Sequence, residues 1–462
     1  MKKKPNLIVI LIDDLRFDEF GAGGHPYMKT PNVDRIAHEG AMCLNAFHTT
    51  PLCSPNRASI LTGQYASRHG IIDNVARDAA SHRLPNYHKQ LQSLGYETAH
   101  IGKWHMGNSA DPRPGYDTWI SFKGHGRLYD PEFNENGKSV QHEGYITDLL
   151  NVRAVDFIKK RRNKPFALFL AHKAVHPDAF QAPDGTLDLT QQGGYKPAER
   201  HKDLYKGEVF PPRPNVLPYE KVVAQKPAWA EAFELKKTPR SRAVLESIHA
   251  GEQEEIRLRA AMMASVDEGV GMIFETLERS GKLDDTFILF LGDNGYFFGE
   301  HGLGPERRFA YEEGIRAPFI MRYPRRIKAG TKIKNLVLAL DIAPTLVALA
   351  GGKPTPAMQG RSLLPLLAGK RAGWRRSFMA EYFSENAMPW LVGMTYKAVR
   401  TDRYKYIHWV NRGGVDGMID ELYDLEKDPY ELKNVVNSRA YAGVRAKLHK
   451  ELARLVAQSV GL

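Results

Sequence analysis

Cysteine is scarce in this chain of 462 residues, which contains only Cys43 and Cys53. Two cysteines exclude both a disulfide scaffold and a zinc site built from cysteines. Long apolar runs are also missing, because none approaches the ~20 residues that a membrane-spanning helix needs. The chain has neither internal repeats nor low-complexity tracts, and its composition of 42% apolar and 26% charged residues is that of a globular protein. We therefore expect a packed fold with no membrane partner.

Basic residues outnumber acidic ones by 65 to 53, which gives a formal net charge of +12. Such an excess either attracts polyanions or simply keeps the surface solvated. The densest basic block, Lys159–Arg162, is only four residues long, and it fits the end of a helix, where cations are favoured by the dipole. We expect no nucleic-acid partner.

The N-terminus begins with three lysines after Met1, followed by the apolar stretch Leu7–Ile12. This stretch is too short for a signal peptide and has no small-residue cleavage site after it. The sequence as written therefore predicts a cytoplasmic protein, or a periplasmic one if a leader has been removed.

Short apolar runs alternate with amphipathic stretches, a pattern typical of a parallel sheet with helices on both faces. Four near-continuous runs predict strands that are buried on both sides: Leu7–Ile12, Tyr96–Ile101, Phe166–Ala171 and Thr286–Leu291. Helical spacing of apolar residues predicts helices from Tyr145 to Ile158 and from Ile256 to Leu277. We predict an α/β fold with a large, mostly parallel sheet over residues 1–369.

Two further regions have a different character. Residues 370–462 contain short strand-like runs (Lys397–Arg400, Tyr404–His408 and Glu421–Leu425) and then a terminal helix, which predicts a smaller α+β subdomain with an antiparallel sheet. The segment from Ala179 to about Pro239 has eight prolines and little periodicity. A connection of this length is usually a lid or binding loop, although a decoration without a role is the alternative.

Each of the four predicted strands ends in polar, ionisable residues. Asp13 and Asp14 follow the first run, Lys103 and His105 the second, His172 and His176 the third, and Asp293 with Asn294 the fourth. Ligands of open α/β sheets bind outside the carboxyl ends of the strands, so we expect these side chains to share one crevice. The four oxygen-bearing side chains, Asp13, Asp14, Asp293 and Asn294, suit a hard cation such as Ca²⁺ or Mg²⁺.

A helix is predicted to begin beside Cys53. Ser54 is a suitable N-cap, Pro55 fits the first helical position, and Gly63 can end the helix. Cys53 would then lie where free backbone N–H groups favour an anion, with Arg57 one turn away. We expect an acidic, reactive thiol at this position, the alternative being a small buried apolar residue.

The motif Cys53-x-Pro55-x-Arg57, followed by Leu61-Thr62-Gly63, resembles the sulfatase motif of the alkaline phosphatase superfamily. The resemblance covers nearly the whole chain, through these further segments: Asp13-Asp14, Gly102–Gly107, Ala174–Pro177, Gly292–Gly295, Gly299–Leu303, Tyr311–Pro318, Arg400–Lys405 and Glu421–Leu425. It implies an alkaline-phosphatase-like fold and hydrolysis of a sulfate ester.

In this family a maturation enzyme oxidises the motif cysteine to formylglycine, and the hydrated aldehyde is bound to Ca²⁺. One hydroxyl of the hydrate attacks sulfur, and the other then expels sulfate. The resemblance therefore implies formylglycine at Cys53 and a metal held by Asp13, Asp14, Asp293, Asn294 and residue 53 itself.

The resemblance also assigns the remaining catalytic roles. Arg57 and Lys103 would neutralise the sulfate, His105 would assist its release, and His176 would transfer a proton near the leaving oxygen. His172 could either reach the substrate or cap its strand.

One position departs from the family pattern. Where sulfatases usually carry a sulfate-binding lysine, this chain has Arg307 nearest, with a spacing one residue longer. Arginine binds charge but cannot donate a proton at neutral pH, so that role would shift to His176.

The leading interpretation is a Ca²⁺-dependent sulfatase that acts on a sulfated carbohydrate and also on aryl sulfates. A phosphonate monoester or phosphodiester hydrolase with the same site is one alternative, and a non-catalytic polyanion-binding protein is another.

Overall fold

The computed structural model describes residues 4–182, 187–217, 221–222, 226, 253–304, 306–385, 394–410 and 420–461. Its strands are β1 (Asn6–Ile12), β2 (Ala41–Cys43), β3 (Ala46–Phe47), β4 (Glu97–Gly102), β5 (Thr118–Ser121), β6 (Glu132–Glu135), β7 (Lys138–Gln141), β8 (Phe166–His172), β9 (Asp178–Gln181), β10 (Leu187–Gly194), β11 (Thr286–Gly292), β12 (Phe319–Arg322), β13 (Thr331–Ile333), β14 (Val337–Leu338), β15 (Ser377–Tyr382), β16 (Tyr396–Thr401), β17 (Tyr404–Trp409) and β18 (Glu421–Asp424).

The α-helices of the described residues are α1 (Pro31–His38), α2 (Cys53–Thr62), α3 (Ala66–His69), α4 (Asp78–Arg83), α5 (Tyr87–Ser93), α6 (Ile146–Lys159), α7 (Gln253–Arg279), α8 (Glu312–Ile315), α9 (Ile342–Leu349), α10 (Leu364–Leu367) and α11 (Ala442–Val460). None of them combines the length and the apolar composition that crossing a bilayer requires.

The main sheet has ten strands in the order β13-β2-β12-β11-β1-β8-β4-β5-β6-β7. The four strands predicted from apolar runs are its central neighbours, and they are parallel to one another. Antiparallel pairs occur only towards the edges. The predicted fold class is confirmed, and the carboxyl ends of the four central strands lie at one edge.

Helices cover both faces of this sheet, as the alternation of side chains along a strand requires. In β1, Ile8 and Ile10 enter a core shared with α6 and α7, whereas Leu7 and Val9 enter a second core shared with α2 and α9. Burial of each such side chain stabilises the fold by about 1.5–3 kcal/mol. The two long helices begin and end close to their predicted bounds, but Val152, which lies within α6, is 43% exposed.

The C-terminal part contains an antiparallel sheet in the order β15-β16-β17-β18, which confirms that prediction. Helix α11 packs against it through Leu448, Leu452 and Leu455. The same core includes Phe47 and Tyr311, so the small sheet packs directly on the part of the chain that carries the large one.

The predicted lid segment is described in part. Strands β9 and β10 pair in an antiparallel hairpin at its beginning. Residues 183–186, 218–220, 223–225 and 227–239 of this segment lie outside the described residues. Its role as a lid stays a prediction.

Candidate active site

The ends of the central strands bring the predicted acidic residues together. Asp13 and Asp14 directly follow β1, and Asp293 and Asn294 directly follow its neighbour β11. The backbone N–H of Asp14 donates to Asp293 Oδ1 at 2.9 Å, and Asn294 Nδ2 donates to Asp14 Oδ1 at 2.5 Å. All four side chains are fully buried. Residues almost 280 positions apart thus form one oxygen-rich cluster.

Cys53 lies against this cluster. It is the first residue of α2, and its Sγ is 3.6 Å from Asp13 Oδ1 and 3.9 Å from Asp14 Oδ1. The helix begins two residues earlier than expected, with Leu52 rather than Ser54 at the N-cap, while Gly63 ends it at φ 68° as predicted. The predicted N-cap Ser54 instead lies inside the first turn, and its hydroxyl donates to the carbonyl of His105, which ties α2 to the loop after β4.

The expected acidity of the Cys53 thiol is wrong. Burial, together with the carboxylates of Asp293 and Asp13, raises the pKa of Cys53 well above its ordinary value. Arg57, which was expected to favour a thiolate, is already paired, since its Nε donates to Asp293 Oδ2 at 2.8 Å. The side chain at position 53 is therefore a neutral thiol in this environment, which disfavours attack as a thiolate.

The acidic cluster has the donor set of a divalent cation site. Asp13, Asp14, Asp293 and Cys53 each offer one ligand atom, and these atoms all lie within 4.8 Å of one another. Asn294 Oδ1 is buried and has no hydrogen-bond partner among the described residues. Burial and the neighbouring Asp13 carboxylate raise the pKa of Asp293 to about 7, a crowding of negative charge that a cation would relieve. Oxygen donors fit a hard cation.

Three buried cations face the acidic cluster. The ammonium of Lys103 contacts Asp13 Oδ2, and Arg57 Nη1 donates to the Lys103 carbonyl at 2.7 Å. Arg307 Nη1 lies 3.0 Å from Asp14 Oδ2. These groups hold positive charge around residue 53, an arrangement suited to binding an oxyanion.

Three histidine rings lie in contact with one another beside the cations. His125 lies between His105 and His176, with ring centroids 4.1 Å and 4.5 Å apart, and its Nδ1 is 3.1 Å from Lys103 Nζ. His125 was missed in the sequence, although Gly124-His125-Gly126 follows the end of β5, the parallel neighbour of β4. A short polar loop after a strand at the same edge of the sheet was the signal that could have found it.

Burial lowers the pKa of all three histidines well below the ordinary value, and the charge of Lys103 lowers it further. The rings are therefore neutral. His176 Nδ1 is 2.8 Å from the carbonyl oxygen of Pro177, which only accepts hydrogen bonds, so Nδ1 carries the proton. His176 Nε2, 3.8 Å from Asp14 Oδ2, then presents a lone pair to the cluster.

Two family models match this chain. One, described as Sulfatase, matches residues 5–352, and the other, described as N-sulphoglucosamine sulphohydrolase, C-terminal, matches residues 299–458. The chain belongs to the sulfatase family. It is similar to an N-acetylglucosamine-6-O-sulfatase of Bacteroides thetaiotaomicron, with 32% identity over 99% of this chain and 86% of that protein. An ulvan-active sulfatase of Formosa agariphila is 26% identical over 98% of this chain and 82% of its own length.

Solved structures agree with this assignment. One determined with D-glucosamine-2-N,6-O-disulfate, described as its substrate, has a TM-score of 0.83 and 29% identity, covering 99% of this chain and 98% of that one. The phosphonate monoester hydrolase of Agrobacterium radiobacter has a TM-score of 0.76 at 23% identity, covering 99% and 96% of the two chains, and shares the fold. The protein is thus a sulfatase enzyme with the alkaline-phosphatase-like fold.

Two loops of the candidate site contain a residue with an unusual backbone conformation. Asp14 and His105 both have φ of 57°, in the left-handed region that residues other than glycine seldom adopt. Such conformations persist only where the surrounding structure holds them, and they concentrate at functional sites. Here the backbone N–H of Asp14 is held by Asp293, and the carbonyl of His105 by Ser54.

His172 is the one predicted site residue that the sulfatase structure does not join to the cluster. It is the last residue of β8 and is buried, and burial lowers its pKa to about 3. Among the described residues, no hydrogen bond or ion pair links its ring to the acidic or basic groups of the site. The geometry favours the structural alternative, in which His172 ends the strand.

Proposed function

We propose that this sulfatase hydrolyses a sulfate monoester of a carbohydrate, with Cys53 converted to formylglycine and Ca²⁺ held beside it. The observation that carries the proposal is the position of Cys53 Sγ, which lies 3.6 Å from Asp13 within a buried cluster of carboxylates and cations. Residue 53 also lies at the N-terminus of α2, where the positive end of the helix dipole favours an anion.

Asp13, Asp14, Asp293 and Asn294 would hold the ion, for which Mg²⁺ is the alternative. A bound cation would supply positive charge beside residue 53 and offset the repulsion among the three carboxylates. Formylglycine would supply, as its hydrate, the hydroxyl nucleophile that the neutral Cys53 thiol does not provide. Its formation requires a separate maturation enzyme, because the oxidation is not a reaction that the groups of this site perform on themselves.

The chain's own cations would bind the sulfate. Arg57, Lys103 and Arg307 are buried on the side of the cluster that faces residue 53, where low dielectric strengthens their attraction for the charge that develops in the transition state. His176 Nε2 carries the free lone pair, because the Nδ1 proton is held by Pro177, so it would take the proton that the attacking hydroxyl releases and pass it to the leaving oxygen. Arg307 would contribute charge alone, since its guanidinium does not release a proton.

The substrate class is supported by the similar proteins. One relative is named an N-acetylglucosamine-6-O-sulfatase, and a structure at 29% identity contains a disulfated glucosamine. A 6-sulfated N-acetylglucosamine is therefore the first candidate, and small aryl sulfates would serve as artificial substrates.

The substitution Cys53→Ala tests the nucleophile, with Cys43→Ala as the matched control because Cys43 is also buried but lies in β2, away from the cluster. We expect Cys53→Ala to abolish release of sulfate from an aryl sulfate while the far-UV circular dichroism stays unchanged. Cys43→Ala should keep its activity. Peptide mass spectrometry should show an aldehyde at position 53 in active enzyme, and full activity of Cys53→Ala would refute the proposal.

A screen of defined sulfated mono- and disaccharides, read out as released sulfate, tests the substrate class. The same enzyme should be assayed on aryl sulfate and aryl phosphonate esters in parallel. A preference for the phosphonate would favour the phosphonate monoester hydrolase alternative. Binding of sulfated glycans without any turnover by formylglycine-containing protein would favour a binding protein instead.

A further inference from the structure

A cavity of about 390 Å³ lies between the C-terminal sheet and the large domain core, apart from the active site. Four arginines line it, and we call it the arginine pocket: Arg361, Arg375, Arg376 and Arg454. Tyr65, which also lines it, lies just beyond the C-terminal end of α2, whose first residue is Cys53. A ten-residue helix is about 15 Å long, so the pocket is separated from the catalytic cluster by that length.

Two of these arginines are neutralised by carboxylates. Arg375 binds the buried Asp341 through both terminal nitrogens, with Nη2 donating to Oδ1 at 2.6 Å. Arg454 binds Glu451 through Nε at 2.8 Å and Nη2 at 2.6 Å. The negative charges of these two acidic side chains are therefore offset by the arginines that they bind.

The other two arginines leave the pocket with excess positive charge. Among the described residues, no carboxylate lies within 4 Å of the Arg361 guanidinium, whose Nη1 donates to the Gly373 carbonyl at 3.0 Å. Arg376 approaches Asp402 only to 3.7 Å, and the two side chains are 89% and 56% exposed. An exposed pair at this distance contributes little, so both guanidinium groups remain available to an anion.

The arginines are also close enough to repel one another. Partial burial and the charge of Arg375 lower the pKa of Arg361, and the opposing charge of Asp341 offsets this only in part. Gathering like charges in a partly buried pocket is unfavourable without an anion to offset them. A bound anion would offset the repulsion among the arginines.

We propose that the arginine pocket is a second binding site, which takes a sulfate group carried by a saccharide. Guanidinium groups match the oxygens of a tetrahedral oxyanion with paired hydrogen bonds. Trp374 and Leu455 also line the pocket and give it an apolar surface suited to the face of a sugar ring. The volume of the pocket is within the range of small-molecule sites. The choice of a sugar sulfate rests on the proposed function, whereas affinity for an oxyanion does not.

The test compares Arg361→Gln with Arg371→Gln, an exposed arginine on the other side of α10 that does not line the pocket. Both changes are made in the Cys53→Ala protein, and a defined sulfated tetrasaccharide is titrated by isothermal calorimetry. The tetrasaccharide should occupy two sites in the Cys53→Ala protein and only one after Arg361→Gln, through a loss of at least about tenfold in affinity at the second site. Arg371→Gln should change each affinity by less than about twofold.

Turnover separates this proposal from the proposed function. In enzyme that retains Cys53, Arg361→Gln should leave kcat/KM for a small aryl sulfate unchanged. The assignment of the arginine pocket as a binding site would be refuted if the Arg361 and Arg371 variants lost affinity equally, or if the starting protein had only one site. Either result would leave the proposed function intact. Binding of sodium sulfate but not of the tetrasaccharide would overturn the saccharide assignment. Arg361-dependent binding, together with no release of sulfate by enzyme that carries formylglycine at position 53, would keep the pocket and refute the proposed function.

Discussion

Arg307 replaces the lysine that the sulfatase pattern has near this position, and its placement shows what the replacement changes. Its Nη1 lies 3.0 Å from Asp14 Oδ2, so it is inside the cluster despite the extra residue of spacing. Asp14 and Cys53 both favour its charged form and, against the opposing effect of burial, hold its pKa above the ordinary value. The position therefore supplies a permanent positive charge, and in the proposed reaction proton transfer would rest with His176.

The role of Arg307 predicts different outcomes for two substitutions. Arg307→Ala should lower kcat/KM for an aryl sulfate by about 10²–10³, the usual effect of removing one group that stabilises transition-state charge. Arg307→Lys keeps the charge and should retain more activity than the alanine variant. Steady-state kinetics on purified variants measure both effects, and equal activity of all three proteins would exclude Arg307 from the site.

At the scale of elements, the long helix α7 is joined to the start of α1 by a buried carboxylate. Asp267 Oδ1 accepts from the backbone N–H of Val33 at 2.8 Å, and its Oδ2 accepts from Asn32 Nδ2 at 2.9 Å. Burial nevertheless raises the pKa of Asp267 to about 6. The contact therefore orients α1 against α7, although ionisation of the carboxylate opposes folding.

This shift predicts a pH-dependent stability. Between pH ~4 and ~6 the folded protein holds the Asp267 proton and the unfolded chain has lost it, so this group makes stability fall as pH rises. The stability of Asp267→Asn relative to the unsubstituted protein should therefore increase from pH 4 to pH 7, by up to about 3 kcal/mol. Denaturant unfolding at the two pH values measures it, with the exposed Asp156→Asn as control. A difference that is constant with pH would contradict the expectation.

At the scale of the whole molecule, a buried ion network joins the two sheets. Lys405 of β17 is fully buried, with its ammonium 2.9 Å from Glu312 Oε1 of α8 and 2.7 Å from Glu431 Oε1. Tyr311, which precedes α8, donates to Glu421 of β18 at 2.9 Å. The small sheet is thereby tied to the loop that also carries Arg307.

Removing the central cation should loosen this junction. Lys405→Met leaves two buried carboxylates without it, a change that typically costs about 3–5 kcal/mol. We expect a lower Tm in differential scanning calorimetry, whereas Lys447→Met, at an exposed position of α11, should leave Tm nearly unchanged. Equal Tm values for the two variants would mean that the network does not join the sheets.

The proposed metal site would also act on the whole molecule, since the residues that would hold the ion follow strands almost 280 residues apart in the chain. A chelator should lower both Tm and activity, because an ion that binds only the folded state stabilises it. Ca²⁺ should restore both better than Zn²⁺, since the donors are oxygens. Restoration by zinc alone would contradict the assignment of a hard cation.

Much of the fold followed from pattern. The four apolar runs predicted the four central strands, and the polar residues after them predicted which side chains meet, because parallel strands end at one edge of a sheet. The pKa of Cys53 was predicted in the wrong direction, since local features such as the helix terminus and Arg57 gave no sign of the carboxylates that surround the thiol. His125 was missed for a related reason, because its loop is seen to reach the site only once β5 is placed beside β4.

The amino-acid sequence by itself determined the central elements of this sulfatase, its family and most of the residues that compose its candidate site, because these depend on residue type and spacing along the chain. Tertiary structure alone decided the charge environment: which cations Asp13 and Asp293 would pair with, that the three histidines are neutral, and that Arg361 shares a pocket with three other arginines. Those properties arise from burial and from contacts between distant segments, and neither can be predicted from the local periodicity of the sequence.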